Sequence, residues 1–283
     1  MKTDPRKHAS GPSKVLSNRP VGPGWWVLRL SHPEIARDCR PGQFVQIRCG
    51  SSESFDPLLR RPFSVYSVER GAGTYDILYT VVGRGTRWIS QLLPETPADV
   101  AGPFGNSFTP PGPQDRVLLV GGGVGVAPLY FLAREILASR EARSSGVAPP
   151  PMTLCVGART RELLQGIADF RGLPLEIKTS TDDGSEGFRG FVTDLLEGIL
   201  DGERDVSRIR VYGCGPQAMN ESLTALLVKR GIWGEICLEA LMACGFGICF
   251  GCIAPIRKEI GGEIQNRRVC WDGPVFDARL LHP

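Results

Sequence analysis

Four cysteines near the C-terminus form the pattern with the most specific chemistry in this sequence. They are spaced C-x4-C-x2-C, and seventeen residues separate the third from the last: Cys244, Cys249, Cys252 and Cys270. One known ligand spacing of [2Fe–2S] clusters places three thiolates on one short loop and a fourth on a later segment. Structural zinc sites more commonly combine two separated pairs of closely spaced ligands. The spacing therefore favours a [2Fe–2S] cluster over zinc and predicts a protein that transfers single electrons.

The loop that carries the first three cysteines is rich in glycine. Gly245, Gly247 and Gly251 allow backbone N–H groups to approach the sulfurs, because no Cβ stands in the way. An anionic cluster needs such hydrogen-bond donors, so the glycines support the same prediction.

Two further motifs contain residue types that bind phosphate. In Arg61-Pro62-Phe63-Ser64 the arginine can meet a phosphate bidentately, and the serine can hydrogen-bond a ring nitrogen or carbonyl. In Gly83-Arg84-Gly85-Thr86 two glycines follow a strand, and Thr86 is expected to cap a helix over 86–93, which would make an anion site. Either motif alone is also typical of an ordinary turn. Together they predict an FAD site with the residues Arg61, Pro62, Phe63, Ser64, Val82, Gly83, Gly85 and Thr86.

A glycine-rich turn lies between the apolar run at 116–120 and a segment with apolar residues at helical spacing. A buried strand, a glycine turn and a helix in this order are typical of dinucleotide sites, although Pro128 stands where the usual pattern has its last glycine. The alternative is a turn that serves packing alone. The residues predicted to bind NAD here are Gly121, Gly122, Gly123, Gly125 and Pro128.

The segment 212–216, YGCGP, again joins a strand end to a helix. Ligands of open α/β folds bind at this edge of the sheet. We therefore predict that Cys214 contacts a nicotinamide ring as the catalytic residue and that Gly215 binds the cofactor. The alternative is a buried thiol at a turn.

The arrangement of apolar residues changes along the chain. Short apolar runs punctuated by Gly, Pro and Ser, at 25–30, 43–49, 62–69 and 75–82, are typical of an antiparallel β-barrel. From 116 on, buried strands alternate with helical patterns, one of them over 161–170, which predicts a parallel α/β sheet. The segment 102–115 is expected to be a linker and 141–151 a mobile surface loop. The predicted division is a flexible tail (1–12), an FAD-binding barrel (13–112), an NAD-binding α/β domain (113–233) and a [2Fe–2S] module (234–283).

Composition and charge narrow the class of protein. The chain has 283 residues and a net charge of +3, which does not favour nucleic acid as a partner. It contains no apolar run long enough for a transmembrane helix and no apolar stretch of a secretory signal behind the first residues. Four of the remaining cysteines are expected to be buried thiols in a reducing, cytoplasmic environment, with Cys214 as the exception: Cys39, Cys49, Cys155 and Cys237.

Taken in order, the motifs resemble those of the ferredoxin–NADP reductase superfamily and, within it, the electron-transfer subunits of NAD-dependent (type B) dihydroorotate dehydrogenases. The resemblance extends over nearly everything after residue 12. It rests on RPFS (61–64), GRGT (83–86), GPFGN (102–106), GGGVGVAP (121–128), TDDGSEGFRGFVTD (181–194), YGCGP (212–216), LEALMACGFGICFGC (238–252) and VCWDGPVF (269–276).

The resemblance implies an oxidoreductase subunit that binds FAD, a [2Fe–2S] cluster and NAD. It also implies a partner, an FMN-containing catalytic subunit, in a heterotetramer with two copies of each chain. The implied route of electrons runs from dihydroorotate to FMN in the partner, then through the cluster and FAD to NAD+, in pyrimidine biosynthesis. The sequence agrees in offering no convincing base for dihydroorotate among its three histidines, His8, His32 and His282. The exposed cysteine loop is the expected face for the partner.

Other functions remain open at this point. Subunits of NAD(P)H:ferredoxin-type oxidoreductases and sulfide dehydrogenases resemble the chain throughout, but they typically have aspartate in place of Cys244. A subunit that has lost its flavin and only regulates a partner would lack the RPFS and GRGT motifs. Arg159 and Arg161 follow the second α/β strand, where reductases of the superfamily select NADP, and are either phosphate ligands or solvated charges. Asp182 and Asp183 either bind a ribose or form a turn.

Overall fold

The computed structural model describes residues 9–51, 53–141 and 149–281, and it leaves the side chains of residues 139–141 outside the description. Within these ranges the chain forms two compact units. The first comprises the residues up to Ser107 together with Ala240–Ile253 and Arg268–Pro274. The second comprises Phe108–Glu239, Ala254–Arg267 and the described residues from Val275 on. The cysteine-bearing segments therefore group with the N-terminal sheet, while the four-part division of the chain stays a prediction.

The first unit is built on a seven-stranded antiparallel sheet with the spatial order β4-β3-β7-β1-β2-β6-β5. Two short helices, α1 (Pro33–Asp38) and α2 (Arg84–Ile89), accompany it. Its strands are β1 (Ala9–Gly22), β2 (Trp25–Ser31), β3 (Phe44–Ile47), β4 (Arg61–Ser64), β5 (Ser67–Glu69), β6 (Thr74–Thr80) and β7 (Pro97–Phe104).

The chain itself curls this sheet toward a barrel. The two edge strands, β4 and β5, are consecutive in sequence, and only Val65 and Tyr66 separate them. The amide of Val65 donates to the carbonyl of Gln43 (3.1 Å), and the amide of Tyr66 donates to the carbonyl of Asp76 (2.8 Å). The two edges are therefore held close by backbone hydrogen bonds. The predicted antiparallel barrel is confirmed, although the apolar run at 62–69 forms two strands rather than one.

Strands β1 and β7 are absent from the sequence-based expectation. Prolines 12 and 20 lie in β1, and β7 extends into the segment expected to be a linker. Proline cannot donate to a ladder, so it lowers the strand propensity of such segments. Here β1 pairs with β2 on one side and β7 on the other, with irregular register at Val15/Ser17 and Pro20/Gly22. Pairing with distant strands outweighs the local propensity.

The second unit is built on a sheet of order β11-β10-β9-β8-β12-β13-β16, in which only β16 runs antiparallel. Its helices are α3 (Val126–Glu141), α4 (Val192–Asp201) and α5 (Gln217–Arg230). Its strands are β8 (Arg116–Gly122), β9 (Met152–Ala158), β10 (Glu176–Thr181), β11 (Phe188–Arg189), β12 (Ile209–Cys214), β13 (Gly234–Cys237) and β16 (Val275–Asp277). A hairpin of β14 (Ile253–Arg257) and β15 (Ile264–Arg268) precedes the last short helix, α6 (Val269–Asp272).

The order of the parallel strands fixes where a ligand can bind in this unit. Chain order reverses between the neighbouring strands β8 and β12, so the loops after them diverge at their carboxyl ends. Apolar side chains from β8, α4 and α5 form the core beneath, including Leu118, Leu196 and Leu223, which are fully buried. Each such burial stabilises the fold by about 1.5–3 kcal/mol. The predicted α/β sheet is confirmed.

One predicted helix is wrong. Residues 161–170 form two single 3-10 turns, Arg161–Leu163 and Asp169–Gly172. Gly166 lies between them with φ of 76°, a left-handed conformation that interrupts an α-helix. Leu164, Ile167 and Phe170 are still buried, so the apolar spacing reflects core packing without a continuous helix.

The expected mobile loop at 141–151 falls mostly outside the described residues, as does the tail up to residue 8. Among the helices that the structure describes, none is long and apolar enough to cross a membrane.

Candidate functional site

The four cysteines of the C-terminal pattern interact in two pairs. The thiols of Cys244 and Cys249 are neighbours, and so are the thiols of Cys252 and Cys270. Among the described residues, no three His, Cys, Asp or Glu side chains form a group suited to a single metal ion. In a [2Fe–2S] cluster each iron takes two protein ligands, so two neighbouring thiols on each side match its donor set.

Backbone amides point at the sulfurs of this loop. The amide of Gly251 lies 3.4 Å from Sγ of Cys249, and the amide of Cys270 lies 3.4 Å from Sγ of Cys252. Burial would raise the pKa of the Cys244 thiol, but N–H groups of Cys249, Phe246 and Ile248 outweigh it and lower the pKa to about 6. The loop is therefore arranged to stabilise negative charge on sulfur.

Two glycines shape the loop in the way that the sequence predicts. Gly245 and Gly247 have φ of 82° and 86°, which L side chains rarely adopt. A Cβ at Gly247 would lie 3.0 Å from the Trp271 side chain, which packs against the loop from α6. Cys249 is exposed and Cys244 partly exposed, whereas Cys252 and Cys270 are buried.

An arginine that the sequence analysis missed holds the loop. Arg268 donates from Nη1 to the carbonyl oxygen of Gly247 (2.9 Å). Its guanidinium carbon lies 4.9 Å from the ring centroid of Phe250 and 5.7 Å from that of Trp271. A cation between two rings and a carbonyl ties the loop to the segment that carries Cys270. Arg268 is the last residue of β15, and nothing in the sequence distinguishes an arginine with this role from one that is simply solvated.

The two motifs predicted to bind FAD lie side by side in the first unit. A Cβ built on Gly85 would come within 3.3 Å of the Cys49 Cβ and 3.4 Å of the Arg61 Cγ. The strand that carries RPFS is β4, and its Phe63 packs edge-on against Tyr79 with ring centroids 6.1 Å apart. Arg61 donates a hydrogen bond from Nη1 to the carbonyl oxygen of Leu59 (2.7 Å). Val82, which precedes the glycine motif, is 83% exposed. Gly85 is buried against the aliphatic stem of Arg61, so the two motifs are in direct contact, as a shared phosphate site requires.

The prediction that Thr86 is the N-cap of a helix is wrong, because the helix begins before it. The helix α2 begins at Arg84 with Gly83 as its N-cap, so Thr86 is the third helical residue. Its Oγ1 accepts hydrogen bonds from the amides of Val82 (2.9 Å) and Gly83 (3.1 Å). A threonine in the first turn can satisfy the preceding amides from inside the helix, which lets the helix start two residues earlier.

The two glycine turns predicted to bind NAD pack directly against each other in the second unit. A Cβ at Gly125 would lie 2.7 Å from the backbone nitrogen of Gly215 and would overlap the carbonyl of Cys214. Gly123 has φ of 56°, and Pro128 lies in the first turn of α3, where proline loses no hydrogen bond. These turns end β8 and β12, the strands at which the chain order reverses.

Cys214 is a buried thiol. It is 2% exposed, and its neighbour on the adjacent strand is Cys237. The hydrogen bond with Cys237 and burial raise the pKa of Cys214 well above its ordinary value. A contact with nicotinamide stays a prediction. The other isolated cysteines, Cys39, Cys49 and Cys155, are buried as expected.

The charged residues after β9 form a local network. Arg161 lies 3.3 Å from the carboxylate of Glu186, and its amide donates to the Ser185 hydroxyl. The Asp183 carboxylate accepts hydrogen bonds from the Ser185 hydroxyl (2.6 Å) and the Ser185 amide (3.0 Å). These two bonds close a turn and lower the pKa of Asp183. The alternative of a turn for Asp183 is therefore confirmed, and Arg161 has an acidic partner.

These two sheets have the architecture of a flavin- and pyridine-nucleotide-dependent reductase. One similar structure is an NADH-dependent reduced ferredoxin-NADP oxidoreductase, with a TM-score of 0.77 and 27% identity, covering 96% of this chain and 90% of that one. A ferredoxin NADP+ reductase from Neisseria gonorrhoeae, solved with bound FAD and NADP, has the same fold at 18% identity (TM-score 0.62, covering 80% of this chain and 92% of that one). The chain thus has the fold of the ferredoxin–NADP reductase class.

Sequence comparison narrows the class. A subunit named dihydroorotate dehydrogenase B (NAD(+)), electron transfer subunit, from Desulforamulus reducens is 38% identical over 94% of this chain and 95% of its own length. Its namesake from Caldanaerobacter subterraneus is 37% identical over 94% and 96%. The family profile described as the iron-sulfur cluster binding domain of dihydroorotate dehydrogenase B matches residues 239–282. The chain belongs to the family of dihydroorotate dehydrogenase B electron transfer subunits.

Proposed function

We propose that this chain is an electron-transfer subunit that carries electrons from dihydroorotate, oxidised on an FMN-containing partner, to NAD+. The overall reaction balances, since dihydroorotate loses two electrons and two protons and NAD+ gains a hydride with release of one proton. The observation that carries the proposal is a group of four cysteines with backbone amides directed at two of the sulfurs, in a chain that belongs to this family along nearly its whole length.

The bound groups would supply conversion between one-electron and two-electron transfer, since a [2Fe–2S] cluster carries one electron, a flavin carries one or two and NAD+ takes a hydride. The site fits such a cluster because the loop offers three thiols and α6 a fourth, with N–H groups 3.4 Å from two of the sulfurs. Cys244, Cys249, Cys252 and Cys270 would be the ligands. The presence of a thiol at Cys244 supports this family over relatives that have aspartate there.

The flavin motif fits a dinucleotide because the cation Arg61 packs against the first turn of α2. Arg61 would pair with the pyrophosphate, beside the amides of Gly85 and Thr86. The amides of Val82 and Gly83 already donate to Thr86 and would not be available for phosphate. Ser64 would hydrogen-bond the flavin ring from β4.

The glycine turns at 121–125 and 213–215 would receive NAD at the carboxyl ends of β8 and β12. Their backbones approach so closely that no Cβ fits at Gly125, and open space lies beside Gly123, where the pyrophosphate would bind. NAD is proposed over NADP because Arg161 has Glu186 as a partner. Glu186 would also repel a 2′-phosphate.

The partner would bind over the cysteine loop. The segment that carries the exposed Cys249 also carries accessible apolar side chains: Leu241 is 93% exposed, Ile248 72% and Phe250 58%. Apolar side chains grouped on a surface mark an interaction site, and short distances favour electron transfer. We propose a heterotetramer with two copies of each chain in the cytoplasm, and the nine free thiols support a reducing compartment.

The test is anaerobic co-expression of the chain with an FMN-containing dihydroorotate dehydrogenase subunit. NAD+ reduction by dihydroorotate is measured with and without this chain, and the two proteins are tested for co-purification. The proposal expects NAD+ reduction only when both are present. Oxidation of dihydroorotate by the pair with an artificial acceptor, but never with NAD+, would contradict it.

A second function is favoured by one comparison, the likeness to the NADH-dependent reduced ferredoxin-NADP oxidoreductase over 96% of this chain. In that case NADH would reduce ferredoxin through this chain without dihydroorotate. Ferredoxin reduction by NADH in the purified complex, with no dihydroorotate-dependent activity, would identify it.

A further inference from the structure

Within the part of the chain that the structure describes, one buried glutamine of the barrel has no hydrogen-bond partner for either polar atom of its side-chain amide. Gln46 lies in β3 and is fully buried. Among the described residues, neither its Nε2 nor its Oε1 has a partner. A buried amide without partners costs free energy, so such a group calls for an explanation.

The amide lies against the cysteine loop. A Cβ built on Gly245, the residue after Cys244, would be 2.6 Å from Cγ and 2.8 Å from Cδ of Gln46, and closer still to Nε2. Glycine at 245 therefore leaves room for the Gln46 amide as well as permitting its left-handed backbone. All these residues belong to the first unit.

The strand geometry explains why this side chain faces the loop. Side chains alternate along β3, so Phe44 and Gln46 share one face while Val45 and Ile47 share the other. The ring of Phe44 packs on Phe104 (5.8 Å between centroids), and Phe104 packs on Phe246 of the loop (6.2 Å). The face with Phe44 and Gln46 is thus the one that the loop covers.

The same residue also neighbours the flavin motif. Gln46 pairs directly with Pro62 of the RPFS strand in the antiparallel register of β3 and β4. Paired residues of an antiparallel ladder project to the same face. Gln46 therefore lies beside the strand proposed to hold the flavin. Its side chain is on the sheet face that the proposed cluster loop covers.

We propose that Gln46 is a positioning residue whose side-chain N–H groups hydrogen-bond the sulfur of the bound cluster beside Cys244. This inference rests on the proposed function. The hydrogen bond stabilises the reduced cluster more than the oxidised one, because reduction adds negative charge to the sulfurs. Gln46 thereby raises the reduction potential of the cluster, in the way that donors to cluster sulfurs do in general.

A second buried glutamine provides the matched control. Gln43 lies three residues earlier and is 1% exposed, but its amide is satisfied. Its Nε2 donates to the carbonyl of Gly105 (2.7 Å), and its Oε1 accepts from the amide of Arg40 (2.9 Å). Substituting Gln43 removes a buried amide of the barrel without touching the donor to the loop.

The experiment measures the cluster's reduction potential by an anaerobic redox titration followed by electron paramagnetic resonance. The proteins are the full-length chain, Gln46→Met, Gln46→Glu and Gln43→Met. Both Gln46 substitutions keep the side-chain length, and Glu adds a negative charge where Met only removes the donor. The flavin potential is followed by absorbance in the same samples.

For Gln46→Met we expect the ratio of reduced to oxidised cluster at a fixed potential to fall about tenfold, which is 59 mV for a one-electron couple. Gln46→Glu should lower the ratio further, and Gln43→Met should leave it unchanged. An unchanged cluster potential in either folded Gln46 variant, or a shift confined to the flavin, would overturn the inference while leaving the proposed function intact. A wild-type chain purified anaerobically without iron or a paramagnetic signal would instead contradict the proposed cluster site itself.

Discussion

Arg268 donates a hydrogen bond to the carbonyl oxygen of Gly247 across 2.9 Å and so joins the cysteine loop to the start of α6. Gly247 is one of the residues between Cys244 and Cys249, and Arg268 precedes Cys270 by two positions. One cation therefore connects the two segments that supply the thiols. The Arg268 side chain is 26% exposed, so solvent screens this contact only in part.

Arg268→Met should loosen the loop without removing any thiol. A hydrogen bond from a charged donor contributes about 1.5–3 kcal/mol, so the cluster should be lost about tenfold faster to an iron chelator. The rate is measured by the decay of visible absorbance under argon. Lys258→Met, which removes an exposed cation from the hairpin, is the control and should not change the rate. Equal rates for the two variants and wild type would show that Arg268 does not hold the loop.

Arg61→Ala should weaken FAD retention. Loss of a charged donor to pyrophosphate predicts about 10- to 100-fold weaker binding, measured as FAD content after gel filtration and as a dissociation constant by fluorescence. Arg19→Ala removes an exposed arginine of β1 and should retain FAD. Full FAD content in Arg61→Ala would remove this residue from the phosphate site.

Two glycine-to-alanine substitutions distinguish a glycine that is needed for close packing of two backbones from a glycine that only adds backbone flexibility. Gly125→Ala places a Cβ against the backbone of Cys214 and Gly215, so it should destabilise the second unit by about 1–3 kcal/mol and abolish NAD binding. Gly198→Ala lies in α4 with open space around it and should stabilise by about 0.5–1 kcal/mol. Chemical denaturation and NADH titration measure both effects. Normal NADH affinity in Gly125→Ala would contradict the site.

Ile248→Arg should weaken binding of the FMN subunit while leaving the cluster in place. The side chain is 72% exposed beside Cys249, and a charge there would be buried by the partner without compensation. We expect at least tenfold weaker assembly by sedimentation velocity, with unchanged iron content. Leu93→Arg, at a position 67% exposed, is the matched control. Assembly weakened equally by both substitutions would argue against a specific face at the cysteine loop.

The sequence predicts those parts of the site whose chemistry is local. The cysteine spacing and the glycines at 245 and 247 can be interpreted directly, because ligand spacing and left-handed turns depend on neighbours in sequence. The continuous apolar run at 116–120 likewise predicts the buried strand β8. Such patterns need no knowledge of distant contacts.

The remaining parts depend on contacts between distant segments. Strand β1 contains prolines and forms only because β2 and β7 pair with it on both sides. Gln46 looks like an ordinary polar residue in a strand until the fold brings Gly245 against its amide. Capping rules predict that Thr86 starts a helix. In the structure Thr86 is the third helical residue, and its hydroxyl accepts hydrogen bonds from the amides of Val82 and Gly83.

The central claim, that electrons from dihydroorotate enter this chain at its cysteine loop, is tested most directly without NAD+. The anaerobic complex with the FMN subunit is mixed with dihydroorotate, and the paramagnetic signal of a reduced one-electron cluster is recorded in wild type and in Cys249→Ser. The account predicts the signal in wild type, its absence in Cys249→Ser, and retained FAD in both. Reduction of FMN in the wild-type complex without any cluster signal, or the same signal in Cys249→Ser, would contradict it.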